Sequence, residues 1–172
     1  MKPAKKKLTI STWSDMKLIF HEDRKKILDL CSKSPSSIKD LATEMDLNPG
    51  SIHNHIHKLH EAGYLEITET REINGITEKK YFRAAEFFNF AELKGAENTT
   101  RNKYISQDIA KESFNLLEGD RETIARMTKV SLNSKHYKEA RARLNDLIEF
   151  LKEHHNSGDQ AISFISCLGE NR

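Results

Sequence analysis

Apolar residues recur at steps of three and four as far as Leu59 and then alternate with polar ones from Tyr64 onward. That change of period predicts a run of helices followed by strands. A first helix is expected from a cap at Ser14 to about Phe20, and a second from about Glu22 to Ser32 with Ile27, Leu28 and Cys31 inward. Ser34-Pro35-Ser36-Ser37 reads as a loop, and Ser37 with Asp40 resembles a capping box that opens a third helix. Leu41, Ala42 and Met45 give that helix its apolar stripe, and Leu47-Asn48-Pro49-Gly50 breaks it. Asn48 can cap a fourth helix with Pro49 at its first position, where the missing N–H costs nothing. In the fourth helix Ile52, Ile56 and Leu59 define a buried face, and Ser51, His53, Asn54 and His57 fall largely off it. Gly63 supplies the left-handed residue past its end.

After Gly63, residues 64–73 and 76–83 alternate on either side of Asn74-Gly75, the strongest short hairpin signal. Farther on, Glu86-Phe87-Phe88-Asn89-Phe90 is too aromatic for a plain linker and is expected to pack on the preceding domain or across a dimer. The polar run Gly95 to Thr100 is the linker candidate. Asn102 to Leu117 fits a helix with a wide apolar stripe, either a core helix of the same subunit or, the favoured reading, a dimerisation helix through Ile105, Ile109, Phe114, Leu116 and Leu117. Ile124 to Leu132 reads as a strand, although residues 122–127 also tolerate a helix. Asn133-Ser134 caps a helix over about 135–155 with Tyr137, Ala140, Leu144, Leu147, Ile148 and Leu151 on one face. Ala161 to Leu168 reads as a closing strand. The tail is a small α/β unit that can serve as a dimerisation platform, an effector pocket, or both.

Three helices and a hairpin make a winged helix-turn-helix, so the fold class is α+β with a helical or α+β dimerisation region behind it. The division is a basic flexible arm at 1–12, a DNA-binding domain at 13–84 and a C-terminal dimerisation and effector region at 85–172. The motif His21-x-x-Arg24-x-x-Ile27-Leu28, then Leu41-Ala42, then Ser51-Ile52-x-x-His55-Ile56-x-x-Leu59-x-Glu61-Ala62-Gly63-Tyr64-Leu65 resembles the ArsR-type winged helix-turn-helix regulators over about residues 14–83. The resemblance implies a homodimer that binds operator DNA, usually as a repressor, with His55 packing near the base of its helix. Two features depart from the family. Glu22 stands where proline is frequent, and the Cys-x-Cys of the metal-sensing members is absent from Leu41 to Met45. Metal sensing of that kind is therefore not implied.

A short helix with an apolar back and small polar groups in front suits the DNA major groove. Helix 48–62 is the expected reader, through Ser51, His53, Asn54 and His57, with Asn54 the best adenine reader. Protonation of His53 and His57 would strengthen binding as pH falls toward about 6. Lys58 is the one strong cation on this helix, so affinity must draw on Lys39 and on the wing at 66–83 through Arg71, Lys79 and Lys80. The lysines of the arm, and Arg24 and Lys25, can add to it if they face the backbone. Glu69, Glu72 and Glu78 dilute the wing's charge, which favours the alternative of a winged-helix protein–protein interaction module without specific DNA binding.

Composition narrows the classes further. Hydrophobic residues at 37% and charged residues at 31% describe a helix-leaning soluble protein, and a net charge of +2 leaves local charge placement to carry the nucleic-acid argument. No apolar run approaches the roughly 20 residues of a membrane span, and the polar stretch after the N-terminal lysines is no signal peptide, so a cytoplasmic protein is expected. Cys31 and Cys167 read as two reduced, buried thiols. His53 and His57 share a helix face, yet no further ligands follow at a recognisable spacing, so neither a metal site nor a cofactor is expected. Without a Gly-rich phosphate loop, a nucleophile elbow or a Cys/His pairing, no enzyme is expected. The expected partners are double-stranded DNA with an inverted-repeat operator, a second copy of the chain and, for the tail, a small-molecule effector.

Overall fold

The computed structural model describes residues 3–73, 75–118, 130–155 and 165. It divides into two compact units, Met1–Ile105 and Ser106–Arg172. The first begins with strand β1 (Lys5–Ile10), then helices α1 (Trp13–Ile19) and α2 (Glu22–Lys33), a two-residue strand β2 (Ser36–Ser37), and helices α3 (Ile38–Met45) and α4 (Pro49–Glu61). Strands β3 (Leu65–Ile73), β4 (Ile76–Arg83) and β5 (Ala85–Phe90) follow, and then helix α5 (Gly95–Leu117), which runs on into the second unit. Helix α6 (Ser134–Glu153) lies in the second unit.

The caps expected from the sequence close the helices. The Ser37 hydroxyl accepts from the Asp40 amide at 3.2 Å while the Asp40 carboxylate accepts from the Ser37 amide at 2.9 Å. Those bonds satisfy two amides that a helix start leaves without partners. Asn48 accepts from the Gly50 amide at 2.7 Å and sets Pro49 in the first turn of α4. Asn133 caps α6 through the His136 amide. The cap of α1 is Thr12 rather than Ser14, because the Thr12 side chain is the one that accepts from the Asp15 amide.

One core holds the first unit. Ile27, Leu28 and Cys31 of α2, Leu41 and Met45 of α3, and Ile52, Ile56 and Leu59 of α4 are all buried, with Met16 and Ile19 of α1, Tyr64 just before the sheet, and Leu65 and Tyr81 within it. Burial pushes the Cys31 thiol up to about 12, so it is an inert thiol among the core side chains. Arg24 is buried as well. Its Nε donates to the Leu18 carbonyl and its Nη2 to the Lys17 carbonyl at 3.3 Å, satisfying the end of α1 and clamping α1 to α2.

Strand order in the wing sheet is β2-β4-β3, all antiparallel, with Ile73 opposite Ile76 across a two-residue turn whose Gly75 has φ +77°. That backbone region favours glycine. A register shift between Ile67 and Glu69 bends β3.

Several expectations need correction. Residues 5–10 are not part of a flexible arm: β1 pairs in parallel with β5, from Lys5 opposite Ala85 to Ile10 opposite Phe90, and Ile10 is buried in the core. Leu8-Thr9-Ile10 is β-prone, and the aromatic strand supplies the partner that the local sequence does not name. Glu86 to Phe90 packs against the first unit, as β5, with Phe88 and Phe90 against the core. Gly95 to Thr100 is no linker but the first turns of α5, held by Asn98 accepting from the Leu93 amide at 3.2 Å and by Arg101 donating to the Phe90 carbonyl at 3.0 Å. Tyr104 of the same helix stacks with Phe20 at 5.7 Å and meets Trp13 edge-on at 5.4 Å. Of the strand expected over 124–132, residues 130–132 are not in a strand and the rest lies outside the described residues. The closing strand at 161–168 and Cys167 also lie outside the described residues, Ile165 apart.

Ile56 is 1% exposed, so Ile56→Ala is expected to lower stability by about 2–5 kcal/mol, read as a reduced urea midpoint at unchanged slope. The bond from the Ser37 amide holds the Asp40 carboxyl below the usual carboxylate range. A depressed carboxyl contributes stability above its unfolded pKa of about 3.9 and loses it as pH falls through the folded value. The stability difference between the protein and its Asp40→Asn variant should therefore shrink below about pH 4, as equilibrium unfolding at several pH values would show.

Candidate nucleic-acid interface

The face of α4 opposite the core carries the polar residues singled out from the sequence. Ile52, Ile56 and Leu59 are at most 1% exposed, while Ser51, His53, Asn54, His57 and Lys58 are all exposed. The helical step explains the division: with three apolar residues locked inward, the residues on the opposite side of the helix face outward. His53 and His57 stand one turn apart, rings 6.2 Å from each other. His57 is not unencumbered, because its Nδ1 lies 3.1 Å from a Glu61 carboxylate oxygen one turn farther on. Only its Nε2 edge is left to meet another molecule.

His55 and His60 do different work. His55 is mostly covered, with Nε2 3.5 Å from the Asp23 carboxylate and its ring 4.9 Å from that of His21. Burial, and then the charge of His21, lower its pKa. His60 shares a hydrogen bond of 2.9 Å between its Nδ1 and the Leu65 carbonyl, where that ring nitrogen must be the donor, and meets Tyr81 edge-on. The bond joins the last turn of α4 to the first residue of the wing. Gly63, at φ +76°, makes the tight exit between them, and the Tyr64 amide donates to the Leu59 carbonyl at 2.8 Å. Tyr64 is itself buried, with its phenol pushed up to about 12 by burial, then by the charge of Asp15 and a hydrogen bond to it.

The cations divide into two groups. Lys39 at the start of α3 and Lys80 on β4 converge on Asp40, whose carboxyl both help to hold low, and Ser37 pairs with Lys80 across β2 and β4. The two lysines stand together at the start of α3, next to the Asp40 carboxylate that the capping box holds in place. Arg71 and Lys79 are exposed on the wing, where Arg71 bonds Glu69 at 3.0 Å. Arg24 belongs to neither group. The sequence offers it for backbone contact, but its guanidinium is buried and held by the carbonyls of α1, and burial lowers its pKa.

Sequence reasoning missed two of these roles. The Arg24 clamp was legible only as part of the His21-x-x-Arg24 spacing, and the His60 bond depends on a strand start five residues away. The His57–Glu61 pair was readable, since i,i+4 partners share a helix face. In the second unit Phe114 and Leu117 of α5 are exposed, Ile109 is half-buried, and the Leu116 side chain lies outside the described residues. Ile105, the last residue of the first unit, is half-buried.

Residues 21–66 match the family model described as bacterial regulatory protein, arsR family. No curated protein sequence matches the chain. Among solved structures it is similar to Streptococcus pneumoniae FabT in complex with DNA, at 10% identity over 77% of this chain and 76% of that one, with a TM-score of 0.34. It is also similar to a double mutant of Lactococcus lactis ZitR in apo form, at 11% identity over 80% of this chain and 88% of that one, with a TM-score of 0.35.

Proposed function

We propose, from the arsR-family helix-turn-helix at residues 21–66, that this DNA-binding transcription regulator acts as a homodimeric repressor, with α4 in the major groove and the β3–β4 wing along the backbone or minor groove. The observation that carries the reading is the sidedness of α4. Its apolar face is wholly consumed by the core, and its outward face offers a hydroxyl, an amide, two imidazoles and one ammonium at groove-reading positions. In that role Asn54 reads adenine, Ser51 contacts a phosphate or base edge near the helix start, and His53 and the Nε2 edge of His57 donate to guanine or phosphate.

Binding energy comes from elsewhere on the unit. The Lys39–Lys80 corner and the wing cations Arg71 and Lys79 hold phosphates, and Lys58 adds one contact from α4 itself. Glu69 and Glu61 moderate Arg71 and His57, so selection depends more on geometry than on raw charge. In the second unit the exposed Phe114 and Leu117 of α5 are apolar groups left open to solvent, which supports α5 as the helix that pairs two copies. A two-fold dimer sets two α4 helices about 34 Å apart and calls for an imperfect inverted repeat.

The deciding measurement is electrophoretic mobility of the full chain with DNA from its own promoter region, at low salt with competitor. Retention of a discrete shift supports the reading; weak, sequence-blind retardation would instead mark a protein-interaction module. Replacing Lys39 and Lys80 together by glutamine should flatten the plot of log affinity against log salt by about 0.9 for each phosphate that is no longer neutralised, with sequence preference unchanged. Asn54→Ala should act the other way, costing about 1–3 kcal/mol on the preferred operator while leaving the salt slope and non-specific binding as they were.

A further inference from the structure

Three metal-ligating side chains meet behind the outward face of α4. His21 is the residue before α2, Asp23 lies in the first turn of α2, and His55 projects from the middle of α4. One ligand atom from each lies within 4.8 Å of the other two. His55 Nε2 is 3.5 Å from the Asp23 carboxylate, and His21 Nδ1 is 3.8 Å from the same oxygen. Tetrahedral zinc with bonds of about 2.0–2.1 Å sets neighbouring ligand atoms about 3.4 Å apart, so two of the three edges are within about half an ångström of that geometry.

We propose that His21, Asp23 and His55 form a binding site for a divalent transition cation of the zinc class, joining the start of α2 to the middle of α4. Two imidazoles and one carboxylate are the donor set of three-ligand zinc sites, with water at the fourth position. The side chains of His21 and Asp23 are 43% and 39% exposed, which leaves a solvent side for that water, while His55 at 13% closes the rear. His21 makes no side-chain cap bond to α2. The buried His55 Nδ1 meets no hydrogen-bond partner among the described residues, so the polar contact of this ring is made at Nε2, on the side of the Asp23 carboxylate. Burial favours the neutral ring that ligation requires. Arg24 and Lys58 also act on His55 and oppose any cation held by charge alone. Magnesium or calcium, which need several oxygen ligands, would find one carboxylate and two repelling neighbours. A nitrogen-seeking ion has two imidazoles to offset that repulsion.

The test is a titration of the tag-free, metal-stripped full chain with Co2+. One ion per chain is expected, with the visible absorption of a four-coordinate site, displaced by Zn2+ and indifferent to Mg2+. His21→Gln and Asp23→Asn should each weaken Co2+ binding by more than the roughly 10–100-fold that removal of an outer-shell partner costs. Both residues are partly exposed, so the metal-free variants should melt with the parent protein. Zn2+ should raise the melting temperature of the parent and not of His21→Gln. A His53→Gln/His57→Gln double variant should keep the ion. The proposal is overturned if neither Co2+ nor Zn2+ binds, if binding survives both single substitutions, or if it disappears in the double variant instead.

Discussion

Everything in the first unit depends on how the back of α4 is buried. Ile52, Ile56 and Leu59 sit at steps of four and three and are sealed against α2, α3 and the sheet. Full burial of an isoleucine or leucine contributes about 1.5–3 kcal/mol, so a rotation of the helix that exposed even one of them would be resisted strongly. The same constraint aims Ser51, His53, Asn54, His57 and Lys58 outward. A surface held this way is preorganised by its reverse side, and the outward residues remain open to change without loss of the fold.

Polar interactions then set the angles at which neighbouring elements meet that helix. The Ser37–Asp40 box fixes the start of α3, Asn48 fixes the start of α4, and His60 ties the end of α4 to the wing at Leu65. Arg24 does the corresponding work for α1 from a buried position. Each of these bonds occupies a polar group that composition alone would leave free for DNA. Of the cations the sequence offers for the backbone, Arg24 is the one taken out of reach in this way, while Lys39, Lys58, Arg71 and Lys79 stay exposed.

What the sequence disclosed follows from the range of the interactions involved. Caps, helical stripes and the Asn74-Gly75 turn are local, and α2, α3, α4 and the hairpin stand where local signals place them. The arsR-type spacing of residues 21–66 rests on the same local pattern. β1 reads as part of an arm because nothing within ten residues of it names its partner, and the start of α5 reads as a linker because its polar run is stabilised by Phe90 and Leu93 rather than by its own stripe. The candidate site divides in the same way. Outward residues of α4 are legible from periodicity, whereas the meeting of His21 and Asp23 with His55 brings together positions more than thirty residues apart. Ligand spacing along one helix carries no trace of it.

The parallel pairing of β1 with β5 also governs the order in which the unit can be completed. Lys5 lies opposite Ala85 and Ile10 opposite Phe90, so the first strand made waits for the last of the described strands before it has a partner. Helices α2 to α4 are built from near neighbours in the chain and can assemble early, whereas the β1–β5 ladder requires a loop nearly as long as the unit to close. Chain order therefore places α4 ahead of β5, the strand that pairs with β1 beside the buried Ile10. A nascent chain stopped short of β5 would carry a complete helix-turn-helix and a β1 whose edge and apolar side chains have nothing to cover them.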